Sequence, residues 1–227
     1  YDSQTVYHSL KDELKNLWVI FDDLSNALQN PKHEAIIKKY FSKAIPLADH
    51  KFSALHYAVW SWGTFLYIPS WVKISEPLQS YFRMNVKSGW QFEHTLMILE
   101  EGSQAHYIEW CSAPKYDKNS LHAWWVEIFV HDNAKMRYSS VENWSLDTYN
   151  LNTKRAIVWE NGHIEWVWWN LWSNTTMLYP CSVLVWDNSS CEHLWIAFAN
   201  SWQNQDTGAK VIHIWKNTSS NIVSKSL

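Results

Sequence analysis

The residues best equipped for chemistry are three cysteines, Cys111, Cys181 and Cys191. A thiolate is soft and nucleophilic, suited both to persulfide sulfur and to iron. Cys111 lies near the end of Gln91–Pro114, QFEHTLMILEEGSQAHYIEWCSAP, which reads as strand, turn, strand. Side chains alternate faces in an extended segment, so Glu109 and Cys111 share one face while His106, Ile108 and Trp110 share the other. Cys191 and His193 are also two apart and able to share a face, but a Cys-x-His pair falls well short of a four-ligand metal site. No Gly-x-Ser-x-Gly elbow, phosphate loop, Gly-x-Gly-x-x-Gly or His-Glu-x-x-His motif occurs, and the eleven histidines are mostly single.

The elements that must hold these residues change character along the chain. From Ser9 to Phe41 the periodicity is helical: Leu10, Leu14 and Leu17 mark one helix, Asp22 or Asp23 caps a second bearing Leu24, Ala27 and Leu28, and Pro31 opens a third with Ile36, Ile37 and Tyr40 on one side. Pro46 to Lys51 is a polar connector, the one plausible boundary between a helical region at 1–50 and a core at 51–227. Beyond it short β-rich runs follow one another, starting with Ala54–Trp60 and Thr64–Ile68. Polar turns separate them at Glu101-Gly102-Ser103, Asp132-Asn133-Ala134, Glu160-Asn161-Gly162, Asp187-Asn188-Ser189, Asp206-Thr207-Gly208 and Lys216-Asn217-Thr218. This pattern means a sandwich, a barrel or a stacked β-helix, and the turns recur at no strict short period that would choose among them.

Composition narrows the partners. With Lys+Arg 19 against Asp+Glu 22 the net charge is −3, which implies neither a polyanionic nor a polycationic partner, so nucleic acid and anionic membrane are not expected as partners. No apolar run approaches a membrane span, no signal-peptide pattern opens the chain, and three scattered cysteines fit a reducing compartment, so a cytoplasmic protein is expected. The four Asn-x-Ser/Thr sequons, at Asn143, Asn174, Asn188 and Asn217, read as polar turns. The oddest figures are 18 Trp and 5 Gly, where average usage predicts roughly 16 Gly. Several tryptophans stand in polar turn contexts, as in Trp186-Asp187-Asn188, where glycine is the usual solution to positive φ. The composition looks as if Trp has replaced Gly.

A set of motifs spread over nearly the whole chain gives a sharper reading. These are His56-Tyr57-Ala58-Val59-Trp60, Gly63 to Pro69, Tyr81-Phe82-Arg83-Met84-Asn85, the Gln91–Pro114 stretch with Glu109-Trp110-Cys111-Ser112-Ala113-Pro114, Glu142-Asn143-Trp144, Thr153-Lys154-Arg155, Gln203 to Lys210 and Lys216 to Ser220. Together they resemble SufB of the SufB/SufD family, the scaffold branch of the SUF iron–sulfur cluster assembly machinery, as a fragment or shortened form without the family's C-terminal helices. At Trp62, Trp71, Trp90, Trp110, Trp172, Trp186 and Trp202 the family has glycine.

The resemblance implies a mostly β fold, a right-handed parallel β-helix preceded by a small N-terminal helical region. It implies a scaffold rather than an enzyme, on which a transient iron–sulfur cluster is built with a SufC-like ATPase, a SufD-like paralogue or a second copy, and a sulfur-donor protein. It makes Cys111 the sulfur acceptor and a candidate cluster ligand, the other ligands being unknown, with Arg83, Asn85, Trp144 and Lys154 along the sulfur path. Cations near a thiol favour the thiolate, which gives Arg83 and Lys154 a physical role. Cys181 stands one position before a family cysteine, and Glu142 replaces a family Gln. The competing reading is an aromatic-rich β-helix that binds carbohydrate, recognised by exposed aromatic platforms and an acidic pair in a groove, or a structural interaction module.

Overall fold

The computed structural model describes residues 5, 9–86, 89–115 and 119–227. The helical part comprises α1 (Asp12–Asn16), the short strand β1 (Ile20–Asp23), α2 (Leu24–Gln29), α3 (Pro31–Tyr40) and α4 (Lys51–Val59). The Asp23 side chain accepts from Asn26 N–H to cap α2, and Pro31 takes the first position of α3, where its missing N–H costs nothing. Lys51–Val59 is helix, not the β-rich run expected through Ala54–Trp60. The segment Phe-Ser-Ala-Leu-His-Tyr-Ala lacks β-branched residues, and its buried positions Ser53 and His56 fall three apart, a helical spacing.

The remaining strands are β2 (Thr64–Ile68), β3 (Leu78–Arg83), β4 (Trp90–Leu99), β5 (Gln104–Ser112), β6 (Ser120–Val130), β7 (Lys135–Trp144), β8 (Thr148–Val158), β9 (His163–Trp172), β10 (Thr175–Leu178), β11 (Cys181–Leu184), β12 (Ser190–Phe198), β13 (Asn204–Thr207), β14 (Lys210–His213) and β15 (Ser219–Ser226). They form two sheets. One runs β1-β2-β4-β6-β8-β10-β13, with β11 on β8 and β14 on β11; the other runs β15-β12-β9-β7-β5-β3. Only β1 on β2 is antiparallel among these pairs. The chain therefore winds from one sheet to the other and back as a parallel β-solenoid of about five turns, the β-helix that the resemblance implies.

In-register stacking puts like residues in columns. Ile68, Leu99, Val130, Val158 and Leu184 lie one above another in the first sheet. The corner after this column repeats too: Trp71, Gly102, Asn133, Asn161, Asn188 and Asn217 all take positive φ, between 53° and 65°. Their N–H groups climb the corner, Gly102 donating to Asp132 O, Asn133 to Glu160 O and Asn161 to Asp187 O. Asn reaches the left-handed region at low cost because its short polar side chain bonds locally.

The helices cover the outer face of the first sheet. Leu24, Ala27, Ile37 and Tyr40 pack on Phe65, Leu96, Ile98 and Phe129. The fastening is polar: the Glu127 carboxylate, wholly buried on β6, accepts from Ser42 N–H at 2.7 Å, Ala44 N–H at 2.8 Å and Ile45 N–H at 2.9 Å. It also meets His94 Nε2 at 3.0 Å, and His94 Nδ1 lies 3.1 Å from His56 Nε2 on α4. Burial, then the neighbouring His94, push the His56 imidazole down to about 2, so it stays neutral. Beside this array Gly63 lets β2 pass close to β4; a Cβ there would sit 2.0 Å from His94 O.

Candidate functional site

Strand alternation aims every second side chain into the solenoid, and near the corner those residues are apolar: Met97, Leu99, Ile128, Val130, Ala156 and Val158. Away from the corner the same inward positions turn polar. β4 contributes Gln91 and Glu93, β6 His122, and β8 Asn150, Asn152 and Lys154; opposite them stand Glu109 and Cys111 on β5, Glu142 and Trp144 on β7, and Asn170 on β9. None is more than 7% exposed.

The centre of this interior is Lys154, whose Nζ lies 3.1 Å from Glu142 Oε1 and 3.9 Å from the Trp124 ring centroid. Glu142 Oε2 accepts from the side-chain amides of Asn150 and, at 3.0 Å, Asn152. Burial alone raises the Glu142 carboxyl, but Lys154, the Asn150 amide and His122 outweigh it, and the net position is below the usual carboxylate range. Glu109 goes the other way. It accepts from Tyr138 and Tyr107, yet burial dominates and the nearby Glu93 and Glu142 add to it, so its carboxyl is pushed well above the usual range despite Lys154.

Cys111 is 2% exposed and pairs in register with Phe82 on one side and Glu142 on the other. Burial first, then Glu109, Glu93 and Glu142, push its thiol well above the ordinary value, with Lys154 alone among these groups opposing. Lys154 does favour the thiolate, as expected of a nearby cation, but burial outweighs it, and Cys111 rests as a protonated thiol.

Arg83 and Asn85 stand at the rim, where Arg83 Nε donates to Asn85 Oδ1 at 2.7 Å and Arg83 pairs in register with Ser112, next to Cys111. A cleft of about 720 Å³ opens here, lined by Arg83, Ser112, Ala113, Lys115, Asn143, Trp144 and Trp172 among others. The five sequence-predicted residues therefore divide. Cys111, Trp144 and Lys154 are inside, Trp144 with its ring centroid 4.3 Å from that of His122, while Arg83 and Asn85 are at the entrance.

Cys181 and Cys191 do not join them. Cys181 pairs in register with Arg155, whose guanidinium faces Asp49 on the helical side of the sheet. Cys191 and His193 do share an inward face, as their spacing predicts, but His193 Nε2 is occupied with Ser182 Oγ at 3.1 Å and burial raises the Cys191 thiol to about 11. Among the described residues no group of three or more His, Cys, Asp or Glu is arranged to hold a metal ion.

Sequence reasoning passed over Glu93, His122, Asn150, Asn152 and Asn170 as members of this interior. The signal was present: in β4, β6 and β8 these polar residues keep the parity of the apolar core positions that follow them on the same strand.

Fold and interior together define a class, a parallel β-solenoid that encloses a cysteine and an ion pair. Residues 82–227 match the family described as SUF system FeS cluster assembly, SufBD core domain. The chain is 50% identical over all 227 residues to an iron–sulfur cluster assembly SufBD family protein of Staphylococcus aureus strain MRSA252, and 49% identical to one of Staphylococcus saprophyticus. It belongs to the SufBD family. It covers 48% of the length of each of these relatives, so it spans about half of them.

Proposed function

We propose that this chain is the SufB-type scaffold part of the SUF machinery, with Cys111 as the residue that accepts sulfur. In this reading residues 1–50 are the N-terminal helical region and 51–227 the core, which opens on α4 before the β-helix, and the iron–sulfur cluster is the cargo, built with a SufC-like ATPase, a SufD-like paralogue or second copy, and a sulfur-donor protein. The chain works in the cytoplasm as a scaffold, the ATP hydrolysis residing in the partner. The observation that supports this most is the connection between cleft and interior: Ser112 and Ala113 line the cleft beside Arg83, and the next residue back along β5 is the buried Cys111.

The sulfur step is a thiol–persulfide exchange. The Cys111 thiolate attacks the outer sulfur of a donor persulfide, the S–S bond of the donor breaks, and the donor leaves as a thiolate while Cys111 becomes the persulfide. Cys111 must first lose its proton. With the thiol held protonated at rest, sulfur acceptance waits on a change that brings positive charge closer or removes negative charge, and the Arg83 guanidinium at the cleft rim is the cation placed to contribute.

The test is iron and sulfide loading of the full-length protein with and without Cys111→Ala. A large loss in the variant is expected; equal loading would remove Cys111 from the role. The carbohydrate-binding reading draws on Trp144 and Trp172 in the cleft, but among the described residues the charged lining groups are Arg83 and Lys115, whereas that reading calls for an acidic pair.

A further inference from the structure

Non-glycine residues with positive φ are uncommon, and for a bulky side chain they are true outliers. Among the described residues this chain has four at Asn, two at Ser and four at Trp: Trp18 (φ 62°), Trp71 (65°), Trp172 (67°) and Trp202 (67°). Each tryptophan stands where glycine is the residue of choice. Trp18 follows α1 in a Schellman arrangement, with Val19 N–H on Leu14 O and Trp18 N–H on Lys15 O, and this left-handed position after a helix is usually glycine. Trp71 shares its corner column with Gly102, one turn along the solenoid. Trp202 is the third residue of a turn closed by Gln203 N–H on Asn200 O, the place that a type II turn reserves for glycine.

Three of these indoles lie largely in solvent, and the fourth, Trp172, sets its edge against Phe198 with ring centroids 4.8 Å apart. Trp18 is 79% exposed, Trp71 63% and Trp202 96%. Other tryptophans behave as tryptophans should: Trp124 and Trp166 are fully buried, and Trp144 is 3% exposed against His122. Two populations therefore share one letter, and the chain that carries 18 Trp carries only 5 Gly.

We propose that the polypeptide made in its own cell carries glycine at Trp18, Trp71, Trp172 and Trp202. The codon there would be UGA, decoded as glycine; UGA differs by one base from the tryptophan codon UGG and by one base from the glycine codon GGA. Buried tryptophans such as Trp144 are encoded by UGG and remain tryptophan. The consequence reaches the site, because Trp172 lines the cleft beside Arg83 and Ser112. With glycine there the approach to Cys111 is wider by a whole indole.

Two measurements test this. Protein isolated from the cells that encode it is digested with trypsin and its peptides are sequenced by mass spectrometry. Peptide 16–32, which holds only Trp18, and peptide 52–73, which holds Trp71, are expected to be lighter by the difference between an indolylmethyl group and a hydrogen at those positions, while peptide 138–154 keeps Trp144. Tryptophan at positions 18 and 71, or glycine at 144, overturns the proposal. Independently, the quadruple variant Trp18→Gly/Trp71→Gly/Trp172→Gly/Trp202→Gly, made recombinantly, is expected to melt on the order of 10 °C above the all-tryptophan chain. An equal or lower melting temperature overturns the structural basis of the assignment, and Trp144→Gly, expected to lower it, shows that the gain is not a general effect of removing indoles.

Discussion

Replacing Lys154 with methionine keeps the length and most of the apolar contact of the side chain but removes the ammonium from the interior. In the parent the pair is almost completely shielded, with side-chain exposures of 1% for Lys154 and 0% for Glu142. Without Lys154 the Glu142 carboxylate keeps only neutral donors, chiefly the amides of Asn150 and Asn152. Breaking a buried pair from one side costs about 3–5 kcal/mol, because a charge is left uncompensated in a low dielectric. Removing both charges, as Lys154→Met/Glu142→Gln, is expected to restore most of that, since the desolvation of both ions disappears with their attraction.

The pH dependence separates this account from simple loss of packing. In the parent the Glu142 carboxyl lies below its usual value. It therefore adds stability that is present above the unfolded-state pKa of about 4.3 and is lost as pH falls through the lower folded value. In Lys154→Met burial acts unopposed by the ammonium, the folded pKa rises, and the variant gains relative stability as pH falls from 7 towards 4. Equilibrium urea unfolding of parent, both single variants and the double variant across that range gives the cycle. A cost below about 1 kcal/mol for Lys154→Met at pH 7, or a double variant no better than the single one, would refute the ion-pair argument.

Three other outcomes are expected. Gly63→Ala places a Cβ 2.0 Å from His94 O at φ +151°, and should lower stability by about 3 kcal/mol or more, read as a shifted urea midpoint with an unchanged slope. Glu127→Gln keeps the shape but loses the charge that three backbone N–H groups and His94 share; a loss of about 2–3 kcal/mol is expected, seen as earlier proteolytic cleavage in the helical cover than in the solenoid. Cys111, buried and held as a thiol, should resist iodoacetamide at pH 8 in the folded chain and react within minutes in urea; rapid alkylation of the folded protein would contradict the high thiol pKa.

Much of the fold could be read from particular residues. Asp23 and Pro31 marked the starts of α2 and α3, and the Asn-containing turns at Asn133, Asn161, Asn188 and Asn217 are the left-handed corner of the solenoid. The winding itself could not be read from spacing. From Leu99 to Val130 one turn takes 31 residues, from Val130 to Val158 it takes 28, and from Val158 to Leu184 it takes 26, so residues that stack perfectly in space drift out of phase in sequence. The family motifs supplied what periodicity lacked. For the site, the parity of Glu109 and Cys111 was legible because alternation is local, whereas the meeting of Lys154 with Glu142 depends on two sheets closing over each other. The raised thiol of Cys111 was not legible for the same reason: it comes first from burial, which depends on the two sheets closing over β5, and only then from Glu109, Glu93 and Glu142.

The division of the interior into an apolar half at the corner and a polar half away from it also shapes how this chain responds to warming. Unfolding exposes apolar surface, which raises the heat capacity, and polar surface, which lowers it. A solenoid that hides Glu93, Glu109, His122, Glu142, Asn150 and Lys154 among its inward residues releases a smaller heat-capacity increment than the usual 12–15 cal/mol/K per residue, roughly, that a conventional core of this size would give. Its free-energy curve is correspondingly flatter, and the temperature window over which the folded state holds is broader on both the cold and the hot side.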